Sequence, residues 1–162
     1  ELGHKDIAII TGNFEHYTSR GRLKGFLDAM KEADLIPVDE HIQCGDYSID
    51  GGYEAMLRIW DTKKRPTAIF ISNYDMTIGA YLAINYLNLK IPDDISVIGF
   101  DNFPLANVVN PPLSFAEQPT NEMGTEAGKL LYKRICGDYS DYPQTIMHKP
   151  TMYYKESIRK IN

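Results

Sequence analysis

Several features that mark whole classes of protein are scarce or absent in this sequence. The 162 residues include only two cysteines, Cys44 and Cys136, and they stand in no CxxC spacing. A disulfide framework or a zinc site is therefore not expected, and a reducing, cytoplasmic environment fits. No apolar run approaches the ~18 residues that a membrane span needs, so no membrane partner is predicted. No signal peptide opens the chain.

An excess of positive charge is also missing. Seventeen Lys and Arg residues face 22 Asp and Glu residues, which gives a formal net charge of -5. DNA-binding surfaces are usually basic, so this chain is a poor candidate to bind the phosphate groups of DNA itself.

The chain is long enough for one hydrophobic core but too short for two full domains. Glu1 is not an initiator methionine, and residues 1–4 resemble a helix end with its glycine cap, so a fragment is predicted.

Catalytic motifs are absent as well. The sequence contains no GxSxG elbow, no phosphate-binding loop and no GxGxxG after a strand. Its four histidines have no metal spacing, so surface or packing roles are expected for His4, His16, His41 and His148. We predict no enzyme, no metal and no cofactor.

What the sequence does contain is an alternation of apolar runs and amphipathic stretches. Buried strands are predicted at residues 6–10, 67–71 and 95–100, and a weaker strand is predicted at residues 42–45. Helices are predicted between them at residues 19–33, 50–60 and 75–87, with Ile78, Leu82 and Leu87 inward in the last. Asp50 is a candidate cap for the second helix, and Asn73 or Asp75 for the third. The alternation predicts an α/β fold, a doubly wound parallel sheet with flanking helices.

The pattern changes after Asp101. A short extended segment is predicted at residues 113–117, then an amphipathic helix at residues 121–135. Two more extended pieces are expected near residues 145–148 and 151–154.

Ligands of parallel α/β sheets bind at the carboxyl ends of the strands. The loops there carry Tyr47, Asn73 and Asp101, with Arg22 one turn into the first helix. An aromatic face stacks on a sugar ring, and planar polar groups bond adjacent hydroxyls in pairs.

Each of these residues also has a simpler interpretation. Asp101 can cap the turn after its strand, and Arg22 can be a solvated helix residue. Tyr47 can be edge packing, and Asn73 can be only a helix cap. Spacing alone therefore predicts an α/β domain with a polar cleft and no more.

The motifs are more specific than the spacing. In order along the chain, they are LGHKDIAII (2–10), RLKGF (22–26), GDY and GY (45–47, 52–53), RPTAIF (65–70), IPDDISVIGFDN (91–102), PPL (111–113), QP (118–119) and EMG (122–124). Together they resemble the effector-binding core of the lactose-repressor/galactose-repressor family of bacterial transcription regulators. The family pattern is broken at Tyr74, where an Asp is usual, and at Ser114 and Phe115, where two threonines are usual.

The resemblance implies roles for particular residues. It makes Arg22, Tyr47, Asn73 and Asp101 ligand contacts, and it implies that the ligand is a small effector, in the first place a sugar. Two further positions match less certain contact or hinge residues, Thr18 and Gln118.

The resemblance also implies an organisation. Residues 1–118 and 148–162 match the C-terminal effector-binding subdomain, whereas residues 119–147 match a segment of an N-terminal subdomain that is otherwise missing. The exposed apolar face of helix 121–135 is then expected to pack against another copy, to swap or to dock abnormally. A homodimer is implied through the helix near residues 76–88 and the loop at residues 103–110.

The implied mechanism is allosteric. Ligand closes a cleft between two subdomains, and closure changes how a dimer presents its helix-turn-helix headpieces, absent here, to operator DNA. One alternative is an exported sugar-binding protein for transport or chemoreception. The other is an enzyme that uses Asp101 with Asp75, or Asp101 as a phosphoacceptor.

Overall fold

Six strands form one sheet in the computed structural model, which describes residues 2–101 and 104–161. They are β1 (Ile7–Thr11), β2 (Ile42–Cys44), β3 (Ala68–Ile71), β4 (Ser96–Phe100), β5 (Ser114–Glu117) and β6 (Thr151–Tyr153). Their order in the sheet is β2-β1-β3-β4-β5-β6; β1 to β5 pair in parallel and β6 is antiparallel to β5. The expectations for Glu1, Asn102 and Phe103 fall outside the described residues.

Among the described residues, four α-helices alternate with these strands: α1 (Tyr17–Glu32), α2 (Ile49–Trp60), α3 (Tyr74–Tyr86) and α4 (Thr120–Ile135). The predicted doubly wound α/β fold is therefore confirmed, with element ends that differ by a few residues from those expected. Residues 145–148, where an extended piece was predicted, belong to no strand of the sheet. None of the described helices is both long enough and apolar enough to cross a membrane.

The main core lies between the sheet and the pair α2 and α3. Ala8 and Ile10 of β1 belong to this cluster, together with buried side chains of α2 and α3. Side chains alternate across a strand, so Ile9 and Thr11 point to the opposite face. We call that opposite side the α1 face. Right-handed crossovers explain the arrangement, because the chain moves one way across the sheet through α1 and returns through α2 and α3.

The inward face of α3 is not the predicted one. The expectation of inward Ile78, Leu82 and Leu87 is wrong for Leu82, which is 50% exposed. Small residues face α2 instead, and a Cβ on Gly79 would lie 1.9 Å from the carbonyl oxygen of Ile49. The backbones of the two helices approach so closely that small side chains, not large ones, form this contact.

Caps settle two further expectations. Ser48, not Asp50, caps α2, and its hydroxyl accepts a hydrogen bond from the backbone N–H of Gly51. Ser48 stands in the extended conformation one residue before the helix, as a capping residue must. Asn73 caps α3 as predicted.

The end of the chain returns to the sheet. Ser157 is fully buried, and its hydroxyl accepts from the N–H of Ser114 and donates to the carbonyl of Val97, both at 2.7 Å. Helix α4, in contrast, buries none of its residues.

Candidate functional site at the carboxyl edge of the sheet

The loops that follow β1, β2, β3 and β4 all meet at one edge, because these strands are parallel. The strand order reverses between β1 and β3: the chain leaves β1 for β2 on one side and comes back to β3 on the other. Ligands of open α/β sheets bind in the crevice at such a switch point. Tyr47, Asn73 and Asp101 therefore lie after β2, β3 and β4 at the edge that holds this crevice.

Tyr47 is held in an unusual conformation after β2. Its φ is 57° and that of the preceding Asp46 is 49°, a left-handed region that side chains with a Cβ adopt at a cost. The Tyr47 ring lies against Gly12, where a Cβ would come within 2.2 Å of it. Its hydroxyl hydrogen-bonds the hydroxyls of Ser19 at 2.7 Å and Thr18 at 2.9 Å. This geometry fixes an aromatic ring at the end of β1.

Arg22 crosses the edge of the sheet from α1. Its Nη1 donates to the carbonyl oxygen of Ser72 at 2.5 Å, and its guanidinium lies 3.9 Å from the centroid of the Phe100 ring. The structure thus places Arg22 against the strand ends and not as a freely solvated helix residue. Because Phe100 immediately precedes Asp101, Arg22 links the two halves of the predicted site.

Asp101 and Gln118 form a direct pair. The Gln118 Nε2 donates to the Asp101 Oδ1 at 2.6 Å, which joins the ends of β4 and β5. Asp101 has a φ of 75°, and its N–H donates to the carbonyl of Ala116. The residue therefore shapes the turn and also presents a carboxylate whose direction is set by Gln118.

Asn73 has a capping role in this structure. Its Oδ1 accepts from the N–H of Met76 at 3.0 Å, at the start of α3. The oxygen is thereby engaged with the helix, and the amide NH₂ is the group that Asn73 can offer to a ligand.

Sequence reasoning missed some residues at this edge. His16 has the surface and packing role expected of it, but its contact with Tyr47, edge to face at 5.7 Å between ring centroids, was not predicted. Ser19 was not singled out, although it is three residues before Arg22 and therefore on the same side of the helix. Helical spacing was the signal that would have found it.

One hollow in the described part of the chain lies away from this edge and is apolar. It has a volume of about 190 Å³ and lies on the α1 face toward the amino ends of the strands, lined by Ile7, Ala68 and Phe70 among others. Its walls supply few polar groups, so it fits a packed side chain better than a polar ligand. No group of three or more His, Cys, Asp or Glu residues suited to a metal ion occurs among the described residues.

A family model described as a periplasmic binding protein-like domain matches residues 1–158. The chain belongs to the periplasmic binding protein-like family. The HTH-type transcriptional repressor PurR of Proteus mirabilis (strain HI4320) is 40% identical over 158 residues, which are 98% of this chain and 46% of that repressor. The chain thus spans about half the length of such relatives.

Solved structures of transcription regulators share the fold. A regulatory protein of the LacI family from Chloroflexus aggregans is 32% identical, with a TM-score of 0.84 over 96% of this chain and 56% of that one. The transcriptional regulator CelR, solved as a cellobiose complex, is 28% identical, with a TM-score of 0.87 over 96% of this chain and 47% of that one.

These comparisons confirm the resemblance to the effector-binding core of lactose-repressor/galactose-repressor regulators. The relatives named here are regulators of transcription and not enzymes, in agreement with the prediction. The role of each site residue stays a prediction.

Proposed function

We propose that this periplasmic binding protein-like chain senses a small polar ring, in the first place a sugar, on behalf of a bacterial transcription regulator in the cytoplasm. The observation that carries the proposal is the pair of strained residues at one edge of the sheet. Tyr47 and Asp101 both have positive φ, and both present functional groups beside the switch point of the sheet. Backbone strain of this kind concentrates at binding sites, where the rest of the fold holds it in place.

The groups at this edge suit a hydroxyl-bearing ring. Tyr47 supplies an aromatic face and Arg22 supplies fixed N–H donors. Asp101, oriented by Gln118, supplies acceptor oxygens. A planar guanidinium and a planar carboxylate can each bond two neighbouring hydroxyls, which favours a ring over a linear ligand. The similar CelR regulator was solved with cellobiose, which supports a sugar as the first class to test.

Closure of the cleft on the effector is the step that would change DNA binding. Effector shifts the equilibrium between open and closed forms only by its difference in affinity for the two, and the DNA-binding part of the protein responds to that shift. With a net charge of -5, this chain is not the part expected to hold phosphates. Operator contacts therefore fall to a separate headpiece.

Substitution of Asp101 tests the site. In the natural gene product, Asp101→Ala should weaken effector binding at least 10-fold in titration calorimetry while the protein stays folded, with an unfolding midpoint lowered by alanine at the positive φ of this position. The matched control is Asp93→Ala, an exposed carboxylate near the opposite end of β4. Unaltered affinity in Asp101→Ala would remove this residue from the site.

The effector class needs its own experiment. Thermal shift of the gene product with cellobiose, ribose and glucose should raise Tm by mass action for at least one sugar. Purine bases, which are flat rings with paired donors and acceptors, are the comparison set. A response to these alone would exclude the sugar and keep the site. Effector binding by a gene product that captures no genomic DNA fragment would favour an exported binding protein.

We propose further that residues 119–147 belong to a second subdomain. Leu131 and Ile135 of α4 are 62% and 74% exposed here, an apolar stripe that another surface would cover. Leu131→Lys should then destabilise the gene product by about 2 kcal/mol in urea. Ile36→Lys, at a loop position that is 88% exposed, is the control and should be neutral. A neutral Leu131→Lys would contradict the assignment.

A homodimer through α3 is the last part of the proposal. Leu82 and Tyr86 lie one turn apart on the exposed side of α3, and Val108 is exposed in the loop at residues 104–110. Leu82→Asp should convert a dimer to a monomer in sedimentation experiments, whereas Ile36→Asp should not. A wild-type protein that is monomeric would refute the proposed dimer interface on α3.

A further inference from the structure

Two buried hydroxyl groups at the switch point have no role in the contacts described so far. Thr11 ends β1 and Ser72 follows β3, and both residues are fully buried. Within the described part of the chain, neither the Thr11 Oγ1 nor the Ser72 Oγ has a hydrogen-bond partner.

The two side chains are neighbours on one face. Ile10 pairs with Ile71 across the sheet, and the N–H of Ser72 donates to the carbonyl of Ile10, so the next residues, Thr11 and Ser72, stand side by side. Ile10 and Ile71 belong to the core under α2 and α3. Alternation along a strand therefore directs Thr11 and Ser72 to the α1 face, where Arg22 lies.

Burial without a partner is costly for a hydroxyl group, and natural proteins satisfy most such groups. Val in place of Thr11, or Ala in place of Ser72, would fill similar space without that cost. A pair of adjacent unsatisfied hydroxyls at a ligand crevice points to a hydrogen-bonding group supplied from outside the chain.

We propose that Thr11 and Ser72 form a subsite that binds one polar group of the effector, a hydroxyl in the case of a sugar. The inference rests on the proposed effector site and extends it to the floor of the crevice. The Tyr47 ring packs on Gly12 and Arg22 reaches the Ser72 carbonyl. A ligand atom therefore reaches the two hydroxyls when one of these side chains moves.

The test uses Thr11→Val, Ser72→Ala and the double variant of the natural gene product. Titration calorimetry measures their affinity for whichever of cellobiose, ribose, glucose or guanine binds the wild type best. Each single substitution should weaken binding about 3- to 10-fold, the range for one net hydrogen bond. If one ligand group is shared by both hydroxyls, the loss of affinity in the double variant should be smaller than the product of the losses in the two single variants.

Stability without effector separates a ligand subsite from a structural contact. The unliganded Tm of Thr11→Val should equal or exceed that of the wild type, because an unsatisfied group is removed. Thr67→Val is the matched control at the other end of β3, where the Thr67 hydroxyl hydrogen-bonds His4 at 2.9 Å. It should lower Tm and leave affinity unchanged.

Unaltered affinity in both single variants would overturn the subsite, and so would losses that simply multiply. If no probe binds even the wild type, the proposed ligand class has failed. The Tm of Thr11→Val then tests separately whether the two hydroxyls stabilise the fold. A lower Tm would then show that they serve the fold and overturn the inference, whereas an equal or higher Tm would uphold it.

Discussion

A methyl group at Gly12 should displace the Tyr47 ring from the site. The Cβ of Gly12→Ala would lie 2.2 Å from two ring carbons of Tyr47. Carbon atoms in contact are about 3.5 Å apart, so the ring must move by about 1.3 Å. Movement of that size stretches the 2.7 Å bond between the Tyr47 hydroxyl and Ser19 to as much as about 4.0 Å, which breaks it.

The expected cost is about 2–3 kcal/mol. Overpacking of a filled site costs about 1–3 kcal/mol, and each lost hydrogen bond about 1 kcal/mol. The exposed side of the Tyr47 ring lets it relax partly, which keeps the total in the lower part of the combined range. Urea denaturation of the gene product measures the loss, and calorimetry with its effector should show at least 10-fold weaker binding.

Gly21→Ala is the control for the same substitution in α1. An added Cβ meets no atom within 4 Å at Gly21, so alanine should stabilise the helix by about 0.5–1 kcal/mol and leave effector affinity unaltered. If Gly12→Ala is as stable as the wild type and binds effector equally well, the Tyr47 ring is not fixed by its hydroxyl bonds and the reasoning fails.

Three further substitutions test the packing around the site. Gly79→Ala should destabilise the protein in urea by about 3 kcal/mol or more, because its Cβ would meet the Ile49 carbonyl at 1.9 Å and force α2 from α3; a neutral effect would contradict that contact. Ser157→Ala should lower the free energy of unfolding by about 2–4 kcal/mol, because it leaves the buried N–H of Ser114 without an acceptor. A loss below 1 kcal/mol would show that another acceptor replaces the hydroxyl. Burial raises the pKa of Tyr81 well above its ordinary value of 10.0, so the neutral form is favoured in the folded state and stability should fall as pH rises above about 10. Tyr81→Phe should remove that part of the alkaline loss, and an unaltered pH profile would contradict it.

The edge of the sheet at which the predicted site residues lie was predictable from the sequence, but the contacts among them were not. The alternation of strands and helices along the sequence placed Tyr47, Asn73 and Asp101 at one edge, because the carboxyl ends of parallel strands lie at the same edge of a sheet. The hydrogen bond between Asp101 and Gln118 was not predictable, since it joins residues 17 apart through the pairing of β4 with β5. The contact between His16 and Tyr47 was missed for the same reason, because two loops meet only after β1 pairs with β2.

The error in the inward face of α3 has a physical cause. Leu82 was assigned to the inward face of α3 because it is apolar and stands at helical spacing from Ile78. The close approach of α2 and α3 selects small residues such as Gly79 and Ala80 for that face and leaves Leu82 on the surface. Periodicity cannot show this, because it says which residues share a face but not how near the neighbouring helix lies.

By itself, the sequence determined the class of fold and the family. Apolar strands of four to six residues alternating with amphipathic helices admit little other than a parallel α/β sheet. Ordered motifs from residue 2 to residue 124 match one family. Tertiary structure decided which side chains meet. It set Arg22 on Phe100, turned Tyr47 onto Gly12 and left Thr11 beside Ser72. Contacts of this kind depend on strand register and helix distance, which arise only when segments remote in sequence pack together.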